Sequence, residues 1–205
     1  MRSYQHEIAK SSKLQDWPTW ANLDLIDGIY LMAYHLGEDP VYHDCIQAKE
    51  LVKDHAFVYG GVAPIYNQSN INLVLKQVEA TKKAKVDGFS LFAFHSFQNR
   101  PDLYYYFNNN GPYKNAAIPT YEVKEVVMKN VIDELNDRYQ RIYKNQGRIS
   151  ENEFQQFILQ LKNAKTIEDI DQIEYIAHPN VRMHLEEVKE KMKRYFAVMA
   201  RKNRL

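Results

Sequence analysis

The chain has a single cysteine, Cys45, among its 205 residues. One thiol cannot close an internal disulfide, and no cysteine pair with metal-ligand spacing exists, so neither a disulfide scaffold nor a cysteine-held metal is expected. Cys45 follows Asp44 in a stretch expected to be helical, where a small buried residue is the natural reading over a nucleophile. Net charge is nearly absent as well: 27 basic residues against 26 acidic ones leave +1. Nucleic acid or an acidic membrane surface would favour a concentrated basic excess, so neither is expected as a partner. Long apolar runs are lacking. No stretch is long enough to span a membrane, and the opening MRSYQHEIAKSSK has no apolar core of a signal peptide. Taken literally, the chain is expected to stay in the cytoplasm where it is made. No G-x-G-x-x-G or P-loop follows any apolar run, and Ser96 has no G-x-S-x-G context, which sets aside nucleotide-binding folds and serine hydrolases.

What is present is apolar and aromatic. Hydrophobic residues make up 45%, enough for a sizeable core, and fifteen tyrosines help bring the aromatic share to 13%. Many tyrosines lie near the ends of the apolar runs, and rims rich in rings suit flat ligands such as sugars.

One phrase is written twice. IDGIYLMAYH runs from Ile26 to His35, and VDGFSLFAFH runs from Val86 to His95. Each copy opens on Asp-Gly, which fits a turn, and continues as a nearly unbroken apolar run, which suits a strand buried on both faces. Between them lies FVYGGVAPIY, Phe57 to Tyr66. Its Gly60-Gly61 pair would weaken an ordinary strand but permits close approach in a crowded wall.

The connections read as helices. VYHDCIQAKELVKDH follows Asp39, expected to cap, and Pro40, suited to a first turn. INLVLKQVEATKKAK carries Ile71, Val74, Leu75 and Val78 at helical spacing and ends in lysines that favour the helix dipole. The order is β-α-β-α-β at about thirty residues per unit, which predicts a parallel sheet with right-handed crossovers. That is the period of a (β/α)8 TIM barrel or a doubly wound sheet. Only three strands are visible, against the eight of a full barrel.

After His95 the texture changes. SFQNRPDLYYYFNNNGPYKNAAIPT reads as a long loop. From Tyr121 onward the pattern is helical. Thr120 is expected to cap a helix to about Asn145 with Gly147 beyond it, Ser150 and Glu153 form a capping-box pattern, and Thr166 with Asp169 marks a third start. Pro179 is expected to end that segment. A last helix, about Asn180 to Lys202, carries Val181, Leu185, Val188, Met192, Phe196 and Met199 on one stripe. The fold class is therefore α/β: a partial TIM (β/α)8 barrel of about three C-terminal βα units over residues 1–112, followed by an all-helical region over 113–205.

The stretch QDWPTWANLDLIDGIYLMAYH resembles the sixth strand of glycosyl hydrolase-like family 10 barrels, where D-W-x-x-W leads into a strand ending in Met-x-Tyr. The matching positions are Asp16, Trp17, Trp20, Asp27, Met32 and Tyr34. The family's seventh strand is matched by Gly60 or Gly61 and Tyr66, and its eighth by Gly88 and Phe92. The resemblance covers about Gln15 to Phe97, and the helical tail has no match. It implies a glycoside hydrolase acting on bacterial cell-wall or other polysaccharide, secreted or held at the envelope. It also implies that the acidic catalytic residues lie on earlier strands, which match no position here. The isolated chain is thus expected to be inactive, completed by a missing N-terminal half-barrel or a second copy, and to need no cofactor or metal.

Glycoside hydrolysis generally needs two carboxyl groups, and in barrels function lies at the C-terminal ends of the strands. The three loops there offer His35, Glu38 and Asp39, then Tyr66, Asn67 and Gln68, then His95, Ser96, Gln98, Asn99, Arg100 and Asp102. Glu38 is the best remaining acid. Tyr34 and Tyr66 suit a sugar-facing wall, with His35, Asn67 and His95 beside them as further substrate-binding candidates. Asp27 and Asp87 stand at the opposite, stability face, and Trp17 and Trp20 read as a lid on the bottom or side of the sheet. The alternative reading is a non-catalytic carbohydrate-binding or protein-interaction module, whose two outer strands would need covering.

Overall fold

A computed structural model describes residues 5–67, 70–98, 100–108, 110–116, 118–120 and 123–202. The chain divides after Lys114 into two compact units. The first opens with helices α1 (Gln5–Lys13) and α2 (Trp17–Asn22), then runs β1 (Gly28–Tyr30), α3 (Glu38–Val52), β2 (Phe57–Val62), a 3-10 turn (Pro64–Asn67), α4 (Ile71–Lys83) and β3 (Gly88–Leu91). Two short helices follow, α5 (His95–Gln98) and α6 (Pro101–Phe107). The sheet has the order β1-β2-β3 and both pairings are parallel, with Tyr30 opposite Tyr59 and Tyr59 opposite Gly88. The expected β-α-β-α-β order and the α/β class therefore hold.

The strands are shorter than the apolar runs that announced them. β1 stops at Tyr30 and β3 at Leu91. Leu31 N still donates to Tyr59 O and Phe92 N to Val62 O, both at 2.9 Å, and the residues after them leave the ladder. β2 is central, and all six of its residues are buried.

Gly60 and Gly61 show how the layers meet. A Cβ on Gly60 would lie 2.5 Å from Cγ2 of Thr81 in α4 and 2.8 Å from Sγ of Cys45 in α3. Gly60 thus faces the two helices. Successive strand residues point to opposite faces, so Phe57, Tyr59 and Gly61 occupy the other face. There the Tyr30 and Tyr59 rings stack at 4.6 Å.

The helix layer follows its apolar period. Val41, Cys45, Ala48 and Val52 of α3 are buried, as are Val74 and Val78 of α4. With Ile29, Val58 and Val86 they form the core on that face, and Trp17 packs against it. Fully burying one such side chain contributes about 1.5–3 kcal/mol. Helix α4 is capped by Asn70, whose side chain accepts from Leu73 N. It ends in a Schellman arrangement: Val86 N donates to Thr81 O at 3.4 Å, Lys85 N donates to Lys82 O at 2.9 Å, and Lys85 takes φ +55°.

Several expected boundaries move. Asp39 does not cap α3: Gly37 stands at the cap and Asp39 lies inside the first turn, where its charge still suits the dipole. The expected long loop after His95 is partly helical, because Pro101 fits the first turn of α6 and Asp102 follows it. Gln68, Ser69 and Asn99 of the expected loops lie outside the described residues.

The second unit is helical: α7 (Lys124–Arg138) running into a π turn (Tyr139–Tyr143), α8 (Glu151–Asn163), α9 (Ile167–Asp171) and α10 (Pro179–Arg201). Val123 caps α7 in place of Thr120. Gly147 has φ +57° beyond the π turn, as its position after a helix end suggests. Ser150 accepts from Glu153 N, but the Glu153 carboxylate accepts from Ile176 N at 3.0 Å, so that box is half-formed. Thr166 and Asp169 make the full reciprocal box. Pro179 opens α10 rather than ending α9, since its missing N–H costs nothing at the first helical position. On α10, Val181, Leu185, Met192, Phe196 and Met199 are buried, with Val188 partly so. The end of the tail, 203–205, lies outside the described residues.

Candidate functional site

The C-terminal ends of the three strands gather rings. The chain leaving β1 passes across β2 at Gly61, where a Cβ would overlap the carbonyl oxygen of Leu31 and come 3.3 Å from Cε1 of Tyr34. Glycine at 61 therefore seats Tyr34 over the end of β2. From that seat Tyr34 lies 6.4 Å from the Tyr66 ring at 45°, and 5.2 Å from the Phe92 ring at 24°. Tyr34 is partly buried, and Tyr66 is 59% and Phe92 48% exposed. Burial, and the nearby Tyr66, push the Tyr34 phenol above its usual pKa, so it stays a neutral donor.

His35 turns away from these rings. Its Nε2 meets Oδ2 of Asp44 at 2.6 Å, and its carbonyl accepts from Nε2 of Gln77 at the same distance. Asp44 and Gln77 are buried on the core faces of α3 and α4. The two residues tie the end of β1 to both helices.

The other candidates are dispersed. His95 is exposed at the start of α5. Asn67 closes the 3-10 turn, and its side chain lies outside the described residues. Glu38 stands 43% exposed in the first turn of α3, 3.8 Å from Lys76. A surface pair of that kind contributes little. Asp102 is gripped by Arg100 through two hydrogen bonds of 2.9 and 2.6 Å, which hold its carboxyl below the usual range. Burial pushes the Cys45 thiol up to about 12, which leaves it inert as a nucleophile at neutral pH. At the opposite face, Asp87 accepts from Val58 N at 2.7 Å and closes the sheet there. Among the described residues no group of three His, Cys, Asp or Glu side chains is placed to hold a metal ion, and no helix is long and apolar enough to cross a membrane.

Two participants were not among the candidate site residues. Asp44 has a visible signal: it occupies a core-facing position of α3, between Val41 and Ala48, where an acid needs a partner. The sequence names Phe92 at the end of the third strand but not as a site residue, and in the repeated phrase it aligns with Met32. In the structure Phe94 is 78% exposed and lies 6.5 Å from Phe97.

No family model, curated protein or solved structure matches the chain.

Proposed function

We propose that residues 15–97 are the last three βα units of a glycosidase-like (β/α)8 barrel, and that their strand ends form part of the wall of a polysaccharide site. The observation that carries this reading is the pair of tyrosine rings, Tyr34 and Tyr66, set over the C-terminal ends of adjacent parallel strands. Ligands of parallel α/β barrels bind at that end. A ring face stacks on the apolar face of a pyranose while a phenol hydroxyl serves its polar edge.

Two further features support it. The helices α3 and α4 cover one face of the sheet, and the other carries Tyr30, Phe57 and Tyr59, as the inside of a barrel would. Leu23 and Leu25 before β1, and Met32 and Leu36 after it, are each more than 60% exposed. Exposed apolar side chains on either side of an outer strand in the chain suit the packing of another βα unit. On this reading the acid and base come from those further units, and the three units here position substrate.

The test is a co-sedimentation assay of the purified chain with peptidoglycan, chitin and cellulose, alongside hydrolysis assays on soluble forms. The expected outcome is binding to one of them without turnover, weakened about three- to tenfold in Tyr66→Ala and Tyr34→Ala. Robust hydrolysis abolished by Glu38→Gln would overturn the division of labour. Unchanged binding in both tyrosine variants would remove the sugar wall.

A further inference from the structure

The two tyrosines do not account for the whole platform. Phe92 packs on Tyr34 more closely, and more nearly parallel, than Tyr66 does. Tyr34 is the middle ring of three and the least exposed. Its place is fixed from beneath, because Gly61 is the one residue type that leaves room for both the Leu31 carbonyl and the Tyr34 ring. Tyr34 therefore has two more exposed rings beside it, one carried by the turn after β2 and one at the end of β3.

We propose that Phe92 is a specificity-determining residue that, with Tyr66, makes this site read two linked sugar units rather than one. The proposal rests on the glycan reading above. One ring face is about the size of one pyranose, so two exposed rings, each packed beside Tyr34, address two sugars along a chain. The faces also differ in chemistry. Tyr66 can exchange a hydrogen bond with a sugar hydroxyl, whereas Phe92 offers only carbon. The sugar over Phe92 is held through its C–H face alone, which favours a pyranose whose substituents are all equatorial. Neither ring alone would produce a dependence on chain length.

The experiment is a calorimetric titration of the full chain with N-acetylglucosamine and its β-1,4-linked dimer and tetramer, repeated with glucose and the corresponding cello-oligosaccharides. The wild-type chain is expected to bind the dimer and tetramer of one series at least about tenfold more tightly than its monosaccharide. Phe92→Ala and Phe92→Leu are expected to bring the tetramer down to the monosaccharide level, and Phe92→Trp to preserve the difference. The leucine variant keeps apolar bulk without a ring, so it separates stacking from folding. Tight tetramer binding that survives Phe92→Leu, or a monosaccharide bound as tightly as its tetramer, overturns the proposal and leaves the glycan reading standing. Failure of every sugar to bind the wild-type chain overturns both.

Discussion

His35 and Asp44 lie 2.6 Å apart, imidazole Nε2 to carboxylate Oδ2, with the Asp44 side chain only 4% exposed. The pair joins the end of β1 to the core face of α3. A buried carboxyl group that loses its hydrogen-bond partner costs about 1–3 kcal/mol. His35→Ala is therefore expected to lower unfolding stability by about that amount in a urea titration. The double variant His35→Leu/Asp44→Leu should recover much of the loss, because it removes both polar groups together. A His35→Ala chain as stable as the wild type would show that Asp44 finds another partner. If that variant also lost glycan binding, His35 would be a sugar ligand instead.

Gly60 and Gly61 act on opposite faces of one strand. Alanine at 60 would press on Thr81 and Cys45, both side chains in a filled core. Overpacking of this kind costs about 1–3 kcal/mol. Thr81→Ser, which removes the methyl nearest the new Cβ, should return part of it. Alanine at 61 meets the Leu31 backbone carbonyl, which cannot rotate away, so its cost should be larger and should not be relieved at Thr81. Equal effects of the two substitutions in denaturant melts would contradict the face assignment.

The layer order was legible because it depends on patterns the chain cannot hide. The repeated Asp-Gly phrase, the glycine pair and the periodic faces of α3 and α4 each specify an element locally. The platform was only half legible. Tyr34 and Tyr66 could be found as tyrosines at strand ends, but the repeated phrase alone does not choose Phe92 over Phe94 as the third ring. The choice depends on where the chain leaves the ladder after Phe92, which the continuous apolar run FSLFAF does not mark. The histidines illustrate the same limit. His35 and His95 are equivalent in the repeat, yet only the helix after β1 offers an acid at the right position. Asp44 has no counterpart in the loop and short helix after His95. Boundaries shifted where two signals competed, as at Pro179, which fits a helix start as well as a stop.

Lys85 ends α4 in the left-handed region, at φ +55°, where the Schellman arrangement ordinarily takes glycine. A side chain there costs about 1 kcal/mol relative to glycine. Lys85→Gly should therefore stabilise the first unit by about that much. The contact made by the residue's backbone survives, since Lys49 Nζ donates to the Lys85 carbonyl at 2.7 Å and not to its side chain. A loss of stability in Lys85→Gly would mean that the lysine side chain contributes more than its backbone conformation costs.

In the second unit, the Tyr143 hydroxyl and Nδ1 of His184 share a hydrogen bond of 2.5 Å. Burial, with Arg138 and Lys191 nearby, pushes His184 down to about 4 from the usual 6.5. Burial pushes the Tyr143 phenol up to about 12. Both groups are therefore neutral in the folded chain near pH 7. The unfolded chain binds a proton at His184 more readily than the folded one, so the contribution is complete above about pH 6.5 and is lost as pH falls towards 4. Its size is at most about 3 kcal/mol. The carboxylates of the chain also titrate towards the lower end of this window, so the comparison must be with a variant that lacks only the imidazole. His184→Gln keeps a hydrogen-bonding partner for Tyr143 and removes the titration. Urea midpoints of the wild type should fall more steeply than those of His184→Gln between pH 6.5 and 4.5, with the two curves parallel above pH 7. Parallel curves throughout would mean that His184 titrates in the folded chain as it does in the unfolded one.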